Sequence, residues 1–260
     1  MRPFLKAYWK TLLFFALMGL VGGFFTGLYI LDSYPADLRQ HLVDELNAQG
    51  LGSFPADILM GVITASQAAG YGLFLGAAGI WLGKKTGLWK DKTGFEPKPL
   101  LITGIVATIG GLALILPDLL FFGPRIPAVM ESYAAKPSIP YILAAVLYGG
   151  VIEEVMLRLF WMSLAAFLLH KLFGKGTVQP ASCILIAANI VAALLFAAGH
   201  LPATFQMLGD SPLIIFRCLA LNGGFGLLFG WLYRKYGLRY AMLAHGGCHA
   251  VSKLIWILFL

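Results

Sequence analysis

Two glutamates and an arginine lie in the middle of the most apolar run of the chain, at Glu153, Glu154 and Arg158. A charged group at the centre of a bilayer costs from about 2.5 to more than 10 kcal/mol, so charges in such a run require partners. In a helix Glu154 and Arg158 are four residues apart and lie on one face, where they can form an ion pair. Glu153 points about 100° away from that face and can meet a group on another helix. The spacing therefore predicts the centre of an active site.

Three histidines add to this set of titratable groups. His245 and His249 are four residues apart, so both rings project from one face of the last helix, and Lys253 continues that face one turn later. His200 ends a different apolar run, one turn after Phe196. Together with the two glutamates, the histidines would form an acid–base or metal cluster built from three helices.

The reaction that suits such a cluster is hydrolysis. A buried carboxylate can accept a proton from water near neutral pH. Imidazoles can share that proton, orient the water or donate a hydrogen bond to an oxyanion. A zinc ion is the alternative, because imidazole and carboxylate groups bind Zn²⁺ and can leave one position for water. The four candidate ligands are Glu153, His200, His245 and His249, and the sequence leaves metal-dependent and metal-free hydrolysis both open.

The composition predicts an integral membrane protein. Apolar residues make up 59% of the chain and charged residues 12%, whereas soluble domains carry about 25% charged residues. A helix needs about 20 apolar residues to cross the hydrocarbon core. The windows of this kind are 11–31, 58–82, 100–122, 141–170, 181–200, 213–233 and 240–260. The predicted fold class is all-α, a polytopic transmembrane helical bundle with about seven to eight spans.

The domain organisation follows from the position of the charged motif. Residues 1–138 are expected to form N-terminal transmembrane helices of a generic kind, and residues 139–260 the helical core that carries the chemistry. Both parts belong to a single integral-membrane domain, since no soluble segment of useful size separates them. Glycine clusters such as Gly19, Gly22 and Gly23 predict close helix packing.

The basic residues predict the orientation in the membrane. If the spans alternate starting from the inside, thirteen of the 19 lysines and arginines fall on inner segments, and only Arg39, Arg125 and Lys136 on outer ones. This bias predicts a multi-pass protein of the inner (plasma) membrane with its N-terminus in the cytoplasm. It also accounts for the net charge of +7, so the expected partners are membrane lipids and not nucleic acid. The inner basic residues are Arg2, Lys6, Lys10, Lys84, Lys85, Lys90, Lys92, Lys98, Lys171, Lys175, Arg234, Lys235 and Arg239.

The depth of the candidate residues in the membrane raises one conflict. Counted from the inner side at about 1.5 Å per residue, Glu153 and His200 both lie about 27–30 Å up. His245 and His249 follow the inner end of the last span closely, so their heights would be only about 10–17 Å. Helices that extend past the inner surface, or a tilted, broken or re-entrant segment near Gly149 or at 201–212, would bring the two pairs together.

The order of three motifs resembles a known family, the CPBP family of CAAX proteases and bacteriocin-processing (Abi) intramembrane proteases. The resemblance covers about the last 120 residues, 141–260, and its most specific part is the double-glutamate motif inside a span. The three motifs are Glu153-Glu154-x-x-x-Arg158, Phe196-x-x-x-His200 and His245-x-x-x-His249.

This resemblance implies an intramembrane endopeptidase that hydrolyses a peptide bond of a membrane-associated protein or peptide. Lipidated, CAAX-like proteins are among the candidate substrates. By the same resemblance Glu153 would activate the water with the assistance of His200. Glu154 and Arg158 would form a supporting pair.

The resemblance also implies that His245 and the residue four positions later stabilise the oxyanion. The family usually has asparagine where this chain has His249. Imidazole can still donate a hydrogen bond there, but it titrates at about pH 6.5 and is a zinc ligand. The family is classed among metalloproteases, although its reaction can be written with no metal. The cofactor expectation is therefore either none or a divalent metal such as zinc.

Other classes of function fit part of the pattern. The polar residues could form an interhelical network that only specifies the fold, as in a non-proteolytic immunity or scaffold protein of the membrane. A proton-coupled transporter would use Glu and His to relay protons and would need a water path to both faces. A protease needs a cavity that opens on one side. A haem protein with His200 and His245 as axial ligands would show a visible absorbance band.

Overall fold

The chain is mainly helical over the residues that the computed structural model describes, which are 2–33, 35–91, 94–174 and 176–260. No strand occurs in these ranges, and the all-α fold class is confirmed. The α-helices are Arg2–Ser33, Ala36–Ala48, Ala56–Gly70, Gly76–Thr86, Pro97–Pro117, Pro127–Glu131, Ile139–Leu143, Ser163–Phe173, Ser182–Gly199, Leu201–Leu208, Pro212–Tyr236 and Leu238–Phe259. The π-helical segments are Tyr71–Leu75, Asp118–Phe122, Ala144–Glu153 and Val155–Met162.

Six of the described helical stretches are long and apolar enough to cross a membrane. They are Pro3–Ser33, Ala56–Thr86, Pro97–Phe122, Ser182–Leu208, Pro212–Tyr236 and Leu238–Phe259. A further stretch, residues 139–173, is helical from end to end and carries Glu153 and Glu154; we call it the glutamate helix. Each predicted apolar window overlaps one of these stretches, so the polytopic bundle is confirmed.

The first helix, Arg2–Ser33, packs on Ala56–Gly70 with the two backbones in contact. A Cβ atom added at Gly19 would lie 2.6 Å from the carbonyl carbon of Ala68. One added at Gly23 would lie 2.6 Å from the carbonyl oxygen of Thr64. Small residues allow this close approach between membrane helices, and the predicted packing role of these glycines is therefore confirmed.

Apolar side chains line both the outside and one end of the bundle. Large apolar residues such as Trp9, Phe14 and Leu194 are exposed on the outside, as a surface in contact with lipid requires. The buried core fills the end of the bundle where the first helix begins. We call its centre the inner plug; its residues, each at most 3% exposed, are Phe15, Leu159, Met162, Leu232 and Tyr233.

The glutamate helix contacts the last helix, Leu238–Phe259, through glycine. A Cβ atom added at Gly150 would lie 2.9 Å from the Cα atom of Gly246. The segments on either side of Glu154 are π-helical, and such segments occur frequently at functional sites. The close approach brings Glu153 and Glu154 within reach of the histidines.

The conflict over depth is resolved by an offset between helices. The hydroxyl groups of Ser163 and Tyr233 are 3.0 Å apart, which places these two residues at one level. Tyr233 is three residues from the end of its helix, whereas the glutamate helix continues for ten residues beyond Ser163. The glutamate helix therefore extends past the helix Pro212–Tyr236 at the end that the sequence assigns to the inner side, the first of the alternatives that the sequence left open.

Candidate active site

A buried network joins Glu154, Arg158 and His245. Oε1 of Glu154 lies 3.1 Å from Nη1 of Arg158, one helical turn away, and accepts a hydrogen bond from Nδ1 of His245 at 2.9 Å. Glu154 is 0% exposed and Arg158 1%. A buried charge requires a partner of this kind, since breaking such a pair is strongly destabilising. The predicted ion pair between Glu154 and Arg158 is present, and it also fixes a histidine of another helix.

Aromatic rings complete the surroundings of Arg158. Its guanidinium carbon lies 4.4 Å from the centre of the Phe196 ring and 5.5 Å from that of Phe229. Nη2 donates to the carbonyl oxygen of Gly226 at 3.3 Å. The Phe229 ring in turn stacks on His245 at 4.5 Å. A planar cation between aromatic faces is favourable in a dry site, so this group holds the network rigidly.

Glu153 lies on the other side of the glutamate helix and lines a cavity of about 360 Å³, which we call the chamber. Its side chain is 22% exposed. Oε2 lies 3.8 Å from Nε2 of His245, while Nδ1 of the same ring is bonded to Glu154. The two glutamates therefore bracket one imidazole, one from the chamber and one from the buried side.

His200 and His249 also line the chamber. Nδ1 of His200 lies 2.8 Å from the carbonyl oxygen of Phe196 and donates to it, so Nε2 is left for the chamber. The His249 ring lies 5.1 Å from His245, and its buried Nδ1 has no hydrogen-bond partner among the described residues. A Cβ atom at Gly149 would lie 3.4 Å from Nε2 of His249 and 3.5 Å from Nε2 of His245. The missing side chain at Gly149 thus leaves a gap next to two imidazole nitrogens.

All six predicted site residues are thus near the chamber, with different surroundings. Glu153, His200, His245 and His249 line it, and the Glu154–Arg158 pair lies behind His245. The residues proposed as metal ligands are not gathered into a metal centre in the described part of the chain. Nδ1 of both His200 and His245 is hydrogen-bonded, which leaves Nε2 of each ring as the nitrogen that a metal would use. Within residues 2–33, 35–91, 94–174 and 176–260, no three His, Cys, Asp or Glu side chains converge to hold an ion.

A second cavity of about 580 Å³, which we call the vestibule, adjoins the chamber. The two cavities share lining residues, which are Tyr29, Leu114, Tyr141, His200, Ala203, Asn222 and His249. The vestibule leads away from the inner plug and is bordered by Ser33, Leu208 and residues between 132 and 138. The chamber is therefore reached from one end of the bundle.

Sequence reasoning missed an ion pair that shapes the vestibule. Nε of Arg217 donates to Asp118 at 2.6 Å, and Nη2 binds the second oxygen of the same carboxylate. The hydroxyl of Tyr133 donates to that oxygen at 2.8 Å. Burial and the neighbouring Asp118 raise the pKa of Tyr133, which keeps this hydroxyl a neutral donor. Asp118 and Arg217 are 99 residues apart, so no local spacing in the sequence connects them.

The fold and the site define a multi-pass membrane protein with a carboxylate–imidazole cluster in an interior cavity. A family model described as Rce1-like, type II CAAX prenyl endopeptidase Rce1-like, matches residues 135–251. The match confirms the resemblance to the CPBP family of CAAX proteases, and the matched segment contains all six predicted site residues. No curated protein and no solved structure matches the chain. The second half of the chain thus carries the pattern of a CAAX-type intramembrane protease.

Proposed function

We propose that this chain is an intramembrane endopeptidase in which Glu153 activates a water molecule to hydrolyse a peptide bond. The observation that carries the proposal is the position of Glu153, which lines an interior cavity with its carboxylate 3.8 Å from an imidazole. A carboxylate that acts as general base must reach both water and a group that takes the proton onward. The chamber offers both within one helical bundle.

In the first step, water in the chamber attacks the substrate carbonyl and transfers a proton to Glu153. His200 would assist, because its Nε2 faces the chamber with a free lone pair when Nδ1 donates to Phe196. The oxyanion would form near Gly149, where the side-chain gap lies beside His245 and His249. A tautomer of His249 with its proton on Nε2 would donate to that oxyanion. Donors aligned in advance are the largest electrostatic aid to acyl transfer.

His245 would carry the proton in the second step. Glu154 accepts from its Nδ1, which leaves Nε2 able to take the proton from Glu153. The resulting imidazolium would lie between two carboxylates and could stabilise the oxyanion before it protonates the leaving amine. This is the role that a buried acid and histidine play in other hydrolases. No step is routed through a metal, since no three of these side chains converge to hold an ion among the described residues.

The proposed substrate is a membrane-associated protein or peptide that approaches from the outer face. The described lysines and arginines of the predicted inner segments, Lys84, Lys98 and Lys235 among them, lie at the end of the bundle opposite the vestibule; Lys92 and Lys175 lie outside the described residues. By the positive-inside rule that end is cytoplasmic. The N-terminus would then be cytoplasmic, and the vestibule would open outward.

This orientation can be tested with an impermeant maleimide on intact cells. In a Cys183→Ser background, which removes the exposed cysteine, Lys136→Cys should be labelled without permeabilisation. Lys98→Cys should be labelled only after permeabilisation. The reverse pattern would place the vestibule in the cytoplasm.

The catalytic proposal is tested by Glu153→Gln in purified protein reconstituted in lipid vesicles. The amide keeps the size of the side chain but cannot accept a proton, so peptide cleavage should fall by about 10³-fold. Glu131→Gln is the matched control, since Glu131 is an exposed glutamate remote from the chamber lining. Undiminished cleavage by correctly folded Glu153→Gln would refute the assignment. Cleavage lost equally in both variants would do so as well.

The apolar plug favours a protease over a transporter. The chamber reaches the vestibule end, while Phe15, Leu159, Met162, Leu232 and Tyr233 close the other end at no more than 3% exposure. A proton pathway would need a continuous chain of polar groups or water across this region, and the hydroxyl pair of Ser163 and Tyr233 is enclosed there by apolar side chains. A cavity that is reached through the vestibule suits hydrolysis.

A further inference from the structure

The vestibule contains a buried ammonium with no anionic partner among the described residues. Lys253 is 7% exposed and lines this cavity. Its Nζ lies 4.4 Å from the centre of the Tyr141 ring and 5.7 Å from that of Trp256. Within residues 2–33, 35–91, 94–174 and 176–260, no carboxylate or carbonyl oxygen bonds to it. Three N–H donors are thus available to a ligand in the vestibule.

The other charged residues that line the vestibule already have partners. These are the pairs Arg217–Asp118 and Asp32–Arg39, and the hydrogen bond from Lys136 to the carbonyl oxygen of Ile257. These contacts leave the charges of Lys136 and Lys253 without an anion, but Lys136 is exposed to solvent whereas Lys253 is buried. Buried charges are normally paired, so an anion that enters the vestibule would find a prepared site.

The aromatic rings give this site its geometry. Tyr141 and Trp256 hold the ammonium by cation–π contact, and both rings line the vestibule. Such contacts position a cation without neutralising it. The nitrogen is thus held in place beside the path from the vestibule to the chamber.

The distance from the reacting groups suits a peptide. Lys253 is eight residues after His245 on one helix, a separation of about 12 Å at about 1.5 Å per residue. An extended peptide advances about 3.3 Å per residue, so this separation spans about three to four residues. We propose that Lys253 binds a carboxylate of the peptide substrate, about three to four residues from the bond that is cleaved. This inference rests on the proposed function and names a residue that fixes where cleavage occurs.

The carboxylate can come from two sources with the same chemistry. One is the C-terminal carboxylate of the substrate, and the other is the side chain of an aspartate or glutamate. The match to the protease family ends at residue 251, so the assignment of Lys253 comes from its surroundings in this chain alone.

Two synthetic peptide libraries of identical random sequence test the proposal, one with free C-terminal carboxylates and one with C-terminal amides. The protein is reconstituted in vesicles, and cleavage sites are mapped by mass spectrometry, with Glu153→Gln as the blank. Cleavage should concentrate about three to four residues from a carboxylate. If amidation lowers cleavage at least tenfold, the C-terminal carboxylate is the source. If both libraries show enrichment of aspartate or glutamate at that distance, the side chain is the source.

Variants of Lys253 then separate binding from folding. With one peptide from the library that the parent protein cleaves as the substrate, Lys253→Met should lower kcat/KM at least tenfold. The same variant should lose the preference for the carboxylate. Lys253→Arg should retain most of that preference, and Lys253→Gln serves as a second neutral variant if the methionine variant unfolds. Glu153-dependent cleavage with no carboxylate preference, or a preference that persists in both neutral variants, would overturn the inference alone. Absence of any Glu153-dependent cleavage would instead contradict the proposed function.

Discussion

Two neighbouring faces of the glutamate helix each carry a glycine followed four residues later by a glutamate. One pair, which we call the chamber stripe, lines a cavity, and the other, the support stripe, is buried in packed protein. Gly149 and Glu153 face the chamber, where the glycine leaves a gap and the glutamate reaches an imidazole. Gly150 and Glu154, each one residue later, face packed protein, where the glycine meets a backbone and the glutamate an arginine. A glycine followed four residues later by a glutamate thus forms a cavity lining on one side and a packed support on the other.

The comparison shows that residue type alone does not separate the two roles. Burial and partners do, because Glu154 is closed off by Arg158 and His245 while Glu153 is open to the chamber. Substitutions in the support stripe should therefore change stability, and those in the chamber stripe should change turnover. Four predictions test this separation, ordered by the size of the effect expected for the first variant in each.

Glu154→Ala should lower the free energy of unfolding by about 3–5 kcal/mol, because it leaves Arg158 buried without its partner. The measurement is thermal or denaturant unfolding in detergent. The double variant Glu154→Leu with Arg158→Met should recover part of this loss, since apolar residues can replace a buried pair. Equal stability of Glu154→Ala and the parent protein would show that the support stripe does not stabilise the fold.

Gly150→Ala should destabilise the protein by about 1–3 kcal/mol, because the added methyl group would overpack a tight contact. Its Cβ would lie 2.9 Å from the Cα atom of Gly246. Because this neighbour is a backbone atom, the contact can be relieved only if one helix shifts away from the other. The loss should appear in the unfolding midpoint. An unchanged midpoint would mean that the two helices separate easily at this level.

Gly149→Ala is the matched chamber variant, and it should leave the unfolding midpoint unchanged or raise it. Alanine favours a helix over glycine by up to about 1 kcal/mol, and the contacts of 3.4–3.5 Å with two imidazoles are ordinary. The methyl group fills the gap beside those nitrogens, so kcat/KM should fall by about tenfold, or about 1.4 kcal/mol. Loss of stability without loss of activity would contradict the prediction.

His249→Asn should have the smallest effect, with kcat/KM within about tenfold of the parent, because the amide can still donate to an oxyanion. His249→Ala removes that donor and should cost about 10²-fold. Similar activities of the two variants would argue against an oxyanion role for this residue.

The fold was largely predictable because its signals are local. Apolar windows of membrane-spanning length marked each long helix, and the glycines of the first helix marked its close packing. The ends of the helices were predicted less accurately. The glutamate helix runs from 139 to 173, beyond the predicted window of 141–170 at both ends.

The candidate site was predictable in its members and not in its arrangement. The four-residue spacing gave the Glu154–Arg158 pair, since helical geometry fixes it. The bond from His245 to Glu154 spans 91 residues and depends on the offset between helices, which no local pattern encodes. The same holds for the Asp118–Arg217 pair and for the aromatic surroundings of Lys253.

The inner plug has a consequence for the cell that houses this protein. In the proposed reaction, water would enter at the vestibule end and the products would leave by the same route, so the apolar packing around Tyr233 would stay closed. A membrane potential is worth about 2.3 kcal/mol per charge at 100 mV, and a leak through hundreds of copies would dissipate it. Vesicles that contain this protein should therefore keep their membrane potential during turnover, with an ion conductance no higher than that of vesicles of lipid alone.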